Sequence, residues 1–249
     1  MKPLPLKPLA PSFYEDVRRR LRERTEAAGL DGLLLLAAGN VTYATGWHFS
    51  VNERPVGLWL PVDGDALLLV AHLELENAMD VPGIAVRTYE EFPGERPPVL
   101  WMIGEAGAQR MAVDTLGAEL LAPAQAMLER LGLVDHAKPE RAVKGEAELG
   151  LIREAARFGD LVLERLLAAG GDIIQQSGTE DDLMADCTEH VRAMLSETHG
   201  EAFLGTKMGI TASVHSGPRA ALPHGSVTTR TPLPGEPIVA GIGCSLGGY

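Results

Sequence analysis

The chain has 249 residues, 34 acidic against 22 basic side chains and a formal net charge of -12, with 45% hydrophobic and 22% charged residues. That balance excludes a disordered chain, and the acidic surplus disfavours phosphate-backbone binding, so no nucleic-acid partner is expected. Two cysteines make neither a disulfide framework nor a four-thiolate zinc site, no apolar run approaches the ~20 residues of a membrane span, and the first residues lack a signal-peptide stretch; a soluble cytoplasmic protein without a membrane partner is the expectation.

Residues 1–12 hold four prolines and predict an extended arm. Phe13 to Gly29 reads as a helix with Val17 and Leu21 on its apolar stripe, Gly29 as C-cap, and the arginines at 18, 19, 20, 22 and 24 mostly on the wet side. Asp31–Leu36 is a continuous apolar run, the pattern of a strand buried on both faces. Residues 58–61 and 66–70, joined by Val62-Asp63-Gly64-Asp65, predict a hairpin. A helix over 72–80, extended chain at 84–88, strands at 99–103 and 111–114, and a helix near 117–131 complete a layered α/β domain over 13–139.

The second half, 140–249, changes character. Lys144 to Ala169 is strongly helical until Gly170-Gly171, and Thr179-Glu180-Asp181-Asp182 supplies an N-cap and acidic first turn for a second helix to about Ser196. From Phe203 on, glycine and proline increase, and short strands are predicted near 211–215, 226–231 and 237–244.

Histidine is the side chain most easily tuned to move protons near neutral pH. His224 stands in irregular backbone flanked by Pro218, Pro223 and Gly225, where a polar group can be presented to a cleft, and His215 lies nine residues before it. His48, His72, His136, His190 and His199 are isolated and read as surface or satisfied structural residues. Cys187 reads as a buried helical thiol, and no base is visible beside Cys244.

Four segments in order carry a resemblance to the creatinase / aminopeptidase P / prolidase family, of M24-type peptidases. They are Asn40-Val41-Thr42-Tyr43-Ala44-Thr45-Gly46 with Arg54-Pro55; Lys144–Ala156; Gly178-Thr179-Glu180; and Ser216-Gly217…Pro223-His224, followed by Gly235-Glu236 and Gly248-Tyr249. The resemblance implies an α/β amino-terminal domain and an α+β pita-bread domain that resembles only the first half of that fold. The chain would then be a fragment of a longer enzyme or a product completed by another chain. It also implies a C–N bond hydrolase acting on a small amidino or Xaa-Pro dipeptide-like substrate, commonly a homodimer. In this pattern His224 matches the family's proton-handling histidine, and His215, Tyr249 and Arg54 are candidate substrate-binding residues.

One departure bears on cofactors. Gly241 occupies the position of the metal-ligating aspartate of metal-dependent members, and it has no donor atom. Two-metal hydrolysis needs several carboxylates, so the resemblance points to the metal-free, creatinase-like branch and no cofactor is predicted. A divalent Mn, Co or Zn ion remains compatible with a shifted ligand set, and a non-catalytic binding or assembly protein that keeps the fold without a complete site is the alternative.

Overall fold

The computed structural model describes residues 6–91, 94, 96–222 and 224–249; residues 1–5 of the expected arm and Pro223 of the histidine segment lie outside them. The chain divides into two compact units, Leu9–Lys144 and Gly145–Tyr249, the latter joined by residues 6–8.

In the first unit, α1 (Pro11–Ala27) starts within the expected arm because Pro11 at its first position fixes a helical φ and needs no donor. It ends before Gly29, whose φ of +70° is the left-handed geometry glycine tolerates best. Five further strands and five short helices follow β1 (Gly32–Leu35) in the order α2 (Ala38–Thr45), β2 (Gly57–Pro61), β3 (Leu67–Ala71), α3 (Leu75–Ala78), β4 (Ala85–Tyr89), α4 (Pro98–Ala106), β5 (Arg110–Val113), α5 (Ala118–Met127), β6 (Arg130–Leu133) and α6 (Ala137–Ala142). The strands form one mixed sheet in the order β4-β3-β2-β1-β5-β6. The predicted hairpin is β2–β3, and β1 lies antiparallel to β2 and parallel to β5.

Central β1 is buried along its whole length because both faces of the sheet are covered. Leu33 and Leu35 join Leu58, Leu60, Leu68 and Val70 under Val17 and Leu21 of α1. Leu34 points the other way, into Trp59, Leu69, Met111 and Val113 beneath Met102 and Ile103 of α4. Each such leucine contributes roughly 1.5–3 kcal/mol by leaving water, so a strand buried on both faces is among the most strongly held elements.

Asn40 explains part of the first family-like segment. Its amide donates to Asp114 at 2.8 Å and Asp135 at 3.1 Å and accepts from Arg141 at 2.8 Å, joining the ends of β1, β5 and β6. Burial pushes the Asp114 carboxyl up, against the amides of Leu36 and Ala37 and the Asn40 side chain.

Two local expectations are corrected here. Val99–Ile103 is helical, within α4, since a short apolar run fits a buried helix as well as a strand and Pro98 sets its first turn. The helix expected near 117–131 stops at Met127; Leu128 is extended, and Arg130–Leu133 pairs with β5 as an edge strand. The arginines of α1 lie mostly on the wet side, with one exception: Arg18 is buried with its guanidinium on the Ala44 carbonyl, while Arg20 and Arg24 share the Glu140 carboxylate.

The second unit has α7 (Glu146–Gln175), α8 (Glu180–His199), β7 (Gly209–Ser216) and β8 (Ile238–Ser245). Helix α7 passes through Gly170-Gly171, where it was expected to stop. A methyl group on Gly170 would sit 3.4 Å from Leu183 of α8, an ordinary contact, so this buried glycine lies against α8 without ending the helix. The stop comes at Ser177, with φ +64°, and Gly178, where a Cβ would lie 2.7 Å from the Ile173 carbonyl oxygen. Thr179 then caps α8 as predicted, its hydroxyl accepting from the Asp182 amide while the Asp182 carboxylate accepts from the Thr179 amide.

Strands β7 and β8 form a two-stranded antiparallel ribbon. Ile210, Ala212, Ile242 and Cys244 face the helices and pack with Phe158 and Val162 of α7 and Cys187, Val191 and Leu195 of α8. The strand expected at 226–231 is not one. The carbonyls of Thr228 and Arg230 instead accept the Asp181 and Glu180 amides at the start of α8, at 3.2 and 2.8 Å, so its backbone satisfies a helix end.

Candidate active site

Alternation along the ribbon assigns its second face. Residues paired across a ladder share a face, so Thr211–Gly243, Ser213–Gly241 and His215–Val239 lie opposite the helix-packed pairs. The 217–237 loop leaves this face after Ser216 and returns to Ile238, with a short 3-10 turn at Gly217–Ala221. Gly217 has φ +53°, and any Cβ there would run into the Glu236 carboxylate. His224 is exposed in the loop. Its neighbour Gly225 is fixed to the ribbon: the His215 ring donates from Nε2 to the Gly225 carbonyl at 2.7 Å, and His215 is 3% exposed. His215 is thus buried and bonded to the residue that follows His224, while His224 itself is exposed.

The foot of the loop is held by charge. Glu180, the first residue of α8, is fully buried. One carboxylate oxygen accepts from the amide and hydroxyl of Ser216, both at 2.8 Å, and the other from Thr228 Oγ1 at 2.8 Å and Arg219 Nε at 3.0 Å. Burial works against this charge, yet the Thr228 and Ser216 donors and the Arg219 guanidinium outweigh it and hold the carboxyl down to about 2. Arg230 adds a second tie, donating to Ser216 Oγ at 2.5 Å and to both Glu236 oxygens at 2.6 and 2.7 Å. Sequence reading took Glu180 only as part of an acidic first turn; nothing local distinguishes it from Asp181, because its partners are 36 to 48 positions away.

The other expected site residues lie elsewhere. Tyr249 donates its hydroxyl to Glu148 Oε1 at 2.9 Å, and Glu148 is the buried residue whose other oxygen accepts the Gly145 amide at the start of α7. It sits at the Gly209–Ser245 end of the ribbon, six ladder positions or ~20 Å from His215, so the fold does not bring these two together. Tyr249 also lines a cleft of about 410 Å³ between α7 and β8, with Ile152, Ala156, Asp160, Ile242 and Cys244. Burial pushes the Cys244 and Cys187 thiols up, away from nucleophilic character. Arg54, in the first unit, is engaged with Glu53 and, at 2.8 Å, with Glu91.

Histidines outside the loop divide. His199 is buried against Glu154 at 2.7 Å, with the Phe158 and Phe203 rings edge-on to it, a satisfied structural residue as expected. His136 is not satisfied: its Nε2 is buried without a partner, and burial pushes its pKa down.

The residues present do not fit a metal centre. Gly241 contributes no donor, and a side chain there would start 3.0 Å from Ser213 Oγ. Among the described residues, no group of three His, Cys, Asp or Glu side chains stands close enough to hold an ion.

Two family descriptions match in tandem: the Creatinase/Prolidase N-terminal domain over residues 18–142 and Metallopeptidase family M24 over residues 150–249. The chain belongs to the creatinase/prolidase family. It comprises the creatinase-type amino-terminal domain and a partial pita-bread domain. Proteins named "Probable dipeptidase PepE" from Mycobacterium tuberculosis and Mycobacterium bovis are 28% identical over 236 residues, 90% of this chain and 58% of theirs. Among solved structures, dipeptidase PepE from Mycobacterium ulcerans superposes with a TM-score of 0.70 at 24% identity, covering 95% of this chain and 62% of that one. A prolidase from Thermococcus sibiricus gives a TM-score of 0.71 at 19% identity, with 95% and 63% covered. The chain therefore spans about three-fifths of the length of these relatives. Among the described residues no helix is long and apolar enough to cross a membrane.

Proposed function

We propose that this chain carries the amino-terminal domain and the histidine-bearing part of the catalytic domain of a C–N bond hydrolase of the Xaa-Pro peptidase or creatinase type. Its substrate is a dipeptide-like or small amidino molecule. One observation carries the reading: His224 is the exposed imidazole on a loop pinned, through Gly225 and His215, to the ribbon face that also holds Gly241. The mycobacterial dipeptidases in the same family support the peptidase class.

In this reading the His224 imidazole takes a proton from the water that attacks the scissile carbon. It returns that proton to the leaving nitrogen as the C–N bond breaks, so the ring ends each cycle in its starting state. The test is hydrolysis of Xaa-Pro dipeptides, other dipeptides and creatine by the chain and by His224→Ala. A loss of ~10²–10⁴-fold in kcat with an unchanged circular dichroism spectrum is expected, and equal turnover by the two proteins refutes the role.

A second reading is favoured by Gly241 alone: a binding or assembly protein that keeps the fold without a complete site. It requires that the parent chain turn over none of these substrates while binding one of them, and binding measured by calorimetry decides between the two.

A further inference from the structure

Glu180 begins a helix, where a carboxylate usually stays in water and favours the positive end of the helix dipole from there. Here it is fully buried, a placement that is strongly unfavourable unless partners compensate. Its side-chain partners come from outside its own helix: Ser216 at the end of β7, Arg219 in the following turn and Thr228 on the returning limb of the loop. The backbone runs the same way, with the first two amides of α8 accepted by the carbonyls of Arg230 and Thr228. Arg219 reaches on to the Ser226 carbonyl, and Arg230 links Ser216 to Glu236. Outgoing and returning limbs of the His224 loop therefore meet on one carboxylate, and the segment between them, carrying His224, is tied to the ribbon by the His215–Gly225 bond.

We propose that Glu180 is the positioning residue of the His224 loop: a buried latch that fixes both limbs to the start of α8 and so sets where the imidazole stands over the ribbon. Its catalytic meaning rests on the reading of His224 above, but the latch itself is testable without turnover. The full chain and its Glu180→Gln variant, which keeps the shape and removes the charge, are compared by limited trypsin digestion and by NMR of ¹⁵N-histidine-labelled protein. Cleavage after Arg219 and Arg230 should rise about tenfold or more, the mark of local opening made about tenfold more frequent, while cleavage after Arg165, held by Asp186, stays unchanged.

The His215 Nε2–H signal, protected by its bond to Gly225, should disappear in Glu180→Gln and persist in Thr179→Ala. The latter weakens the same helix end without touching the loop, so general destabilisation does not account for the pattern. Should Glu180→Gln fail to fold, Thr228→Val removes one loop-side donor and should raise cleavage after Arg219 and Arg230 several-fold. Unchanged cleavage and an unchanged His215 signal in a folded Glu180→Gln overturn the latch, as does unchanged cleavage in Thr228→Val if the first variant does not fold. If the latch variants open the loop but His224→Ala leaves turnover intact, the catalytic reading falls and the latch stands.

Discussion

Replacing Glu154 by Gln tests the electrostatics that join α7 to α8. The Glu154 carboxylate accepts from Arg157 Nε and Nη2 at 2.9 and 2.8 Å and lies 2.7 Å from His199 Nε2. Arg157 on the same helix, His199 from α8 and Cys244 from β8 are the titratable groups that face it. The Arg157 guanidinium is the largest influence, followed by burial in the opposite sense and then His199, and together they hold the carboxyl down to about 2 from an ordinary 4.5. A fall of that size is worth ~3 kcal/mol of folding stability, and partial exposure of the carboxylate and of Arg157 reduces it to ~2 kcal/mol.

The sign follows from linkage. A folded-state pKa below the unfolded value gives stability that is complete above about pH 4.5 and is lost as the pH falls toward 2. Glu154→Gln should therefore cost ~2 kcal/mol at pH 7, and the gap between parent and variant should close between pH 4.5 and 2. Other carboxylates, Glu180 among them, titrate in the same window in both proteins and cancel in the difference. Urea denaturation followed by circular dichroism at pH 7, 4.5, 3 and 2 gives the two curves. A gap that stays constant across this range, or a cost below ~0.5 kcal/mol at pH 7, refutes the assignment.

Two further substitutions probe the scaffold. Thr179→Ala removes the hydroxyl that accepts the Asp182 amide and should cost ~1 kcal/mol, read as a fall of roughly 4–8 °C in the Tm of the second unit by calorimetry; an unchanged Tm means the cap contributes nothing. Gly32→Ala places a methyl group into the Trp59 ring and 2.8 Å from the Leu60 carbonyl at the paired end of β1 and β2, and should destabilise the first unit by about 3 kcal/mol in urea titration; a loss under ~0.5 kcal/mol would show that Trp59 moves aside freely.

Where a residue's environment is set by its near neighbours, the sequence was enough. The run at 31–36 reported a strand covered on both sides, Val62-Asp63-Gly64-Asp65 reported a hairpin, and Thr179 reported the start of α8. Irregular backbone around His224 was legible from its glycines and prolines, whereas the bond from His215 to the Gly225 carbonyl was not. Periodicity records whether a residue is buried, not what buries it. That is why Val99–Ile103 could be read as a strand when the sheet was in fact covering one side of a helix, and why Gly170-Gly171 could be read as a stop when Gly170 lies against Leu183 of α8 within a continuing helix.

Tertiary structure alone showed the partners of Glu180 and Tyr249. A carboxylate in an acidic first turn looks the same whether it meets water or two limbs of a distant loop, because the difference comes from Ser216, Arg219 and Thr228 arriving from elsewhere in the chain. A tyrosine after two glycines looks the same whether it faces a substrate or the buried Glu148 that closes the first turn of α7. The sequence by itself determined the family, the two-part organisation of the chain and the irregular backbone around His224. The folded chain determined which charges hold that loop, since the energy of a buried charge depends on partners that only the fold brings within 3 Å.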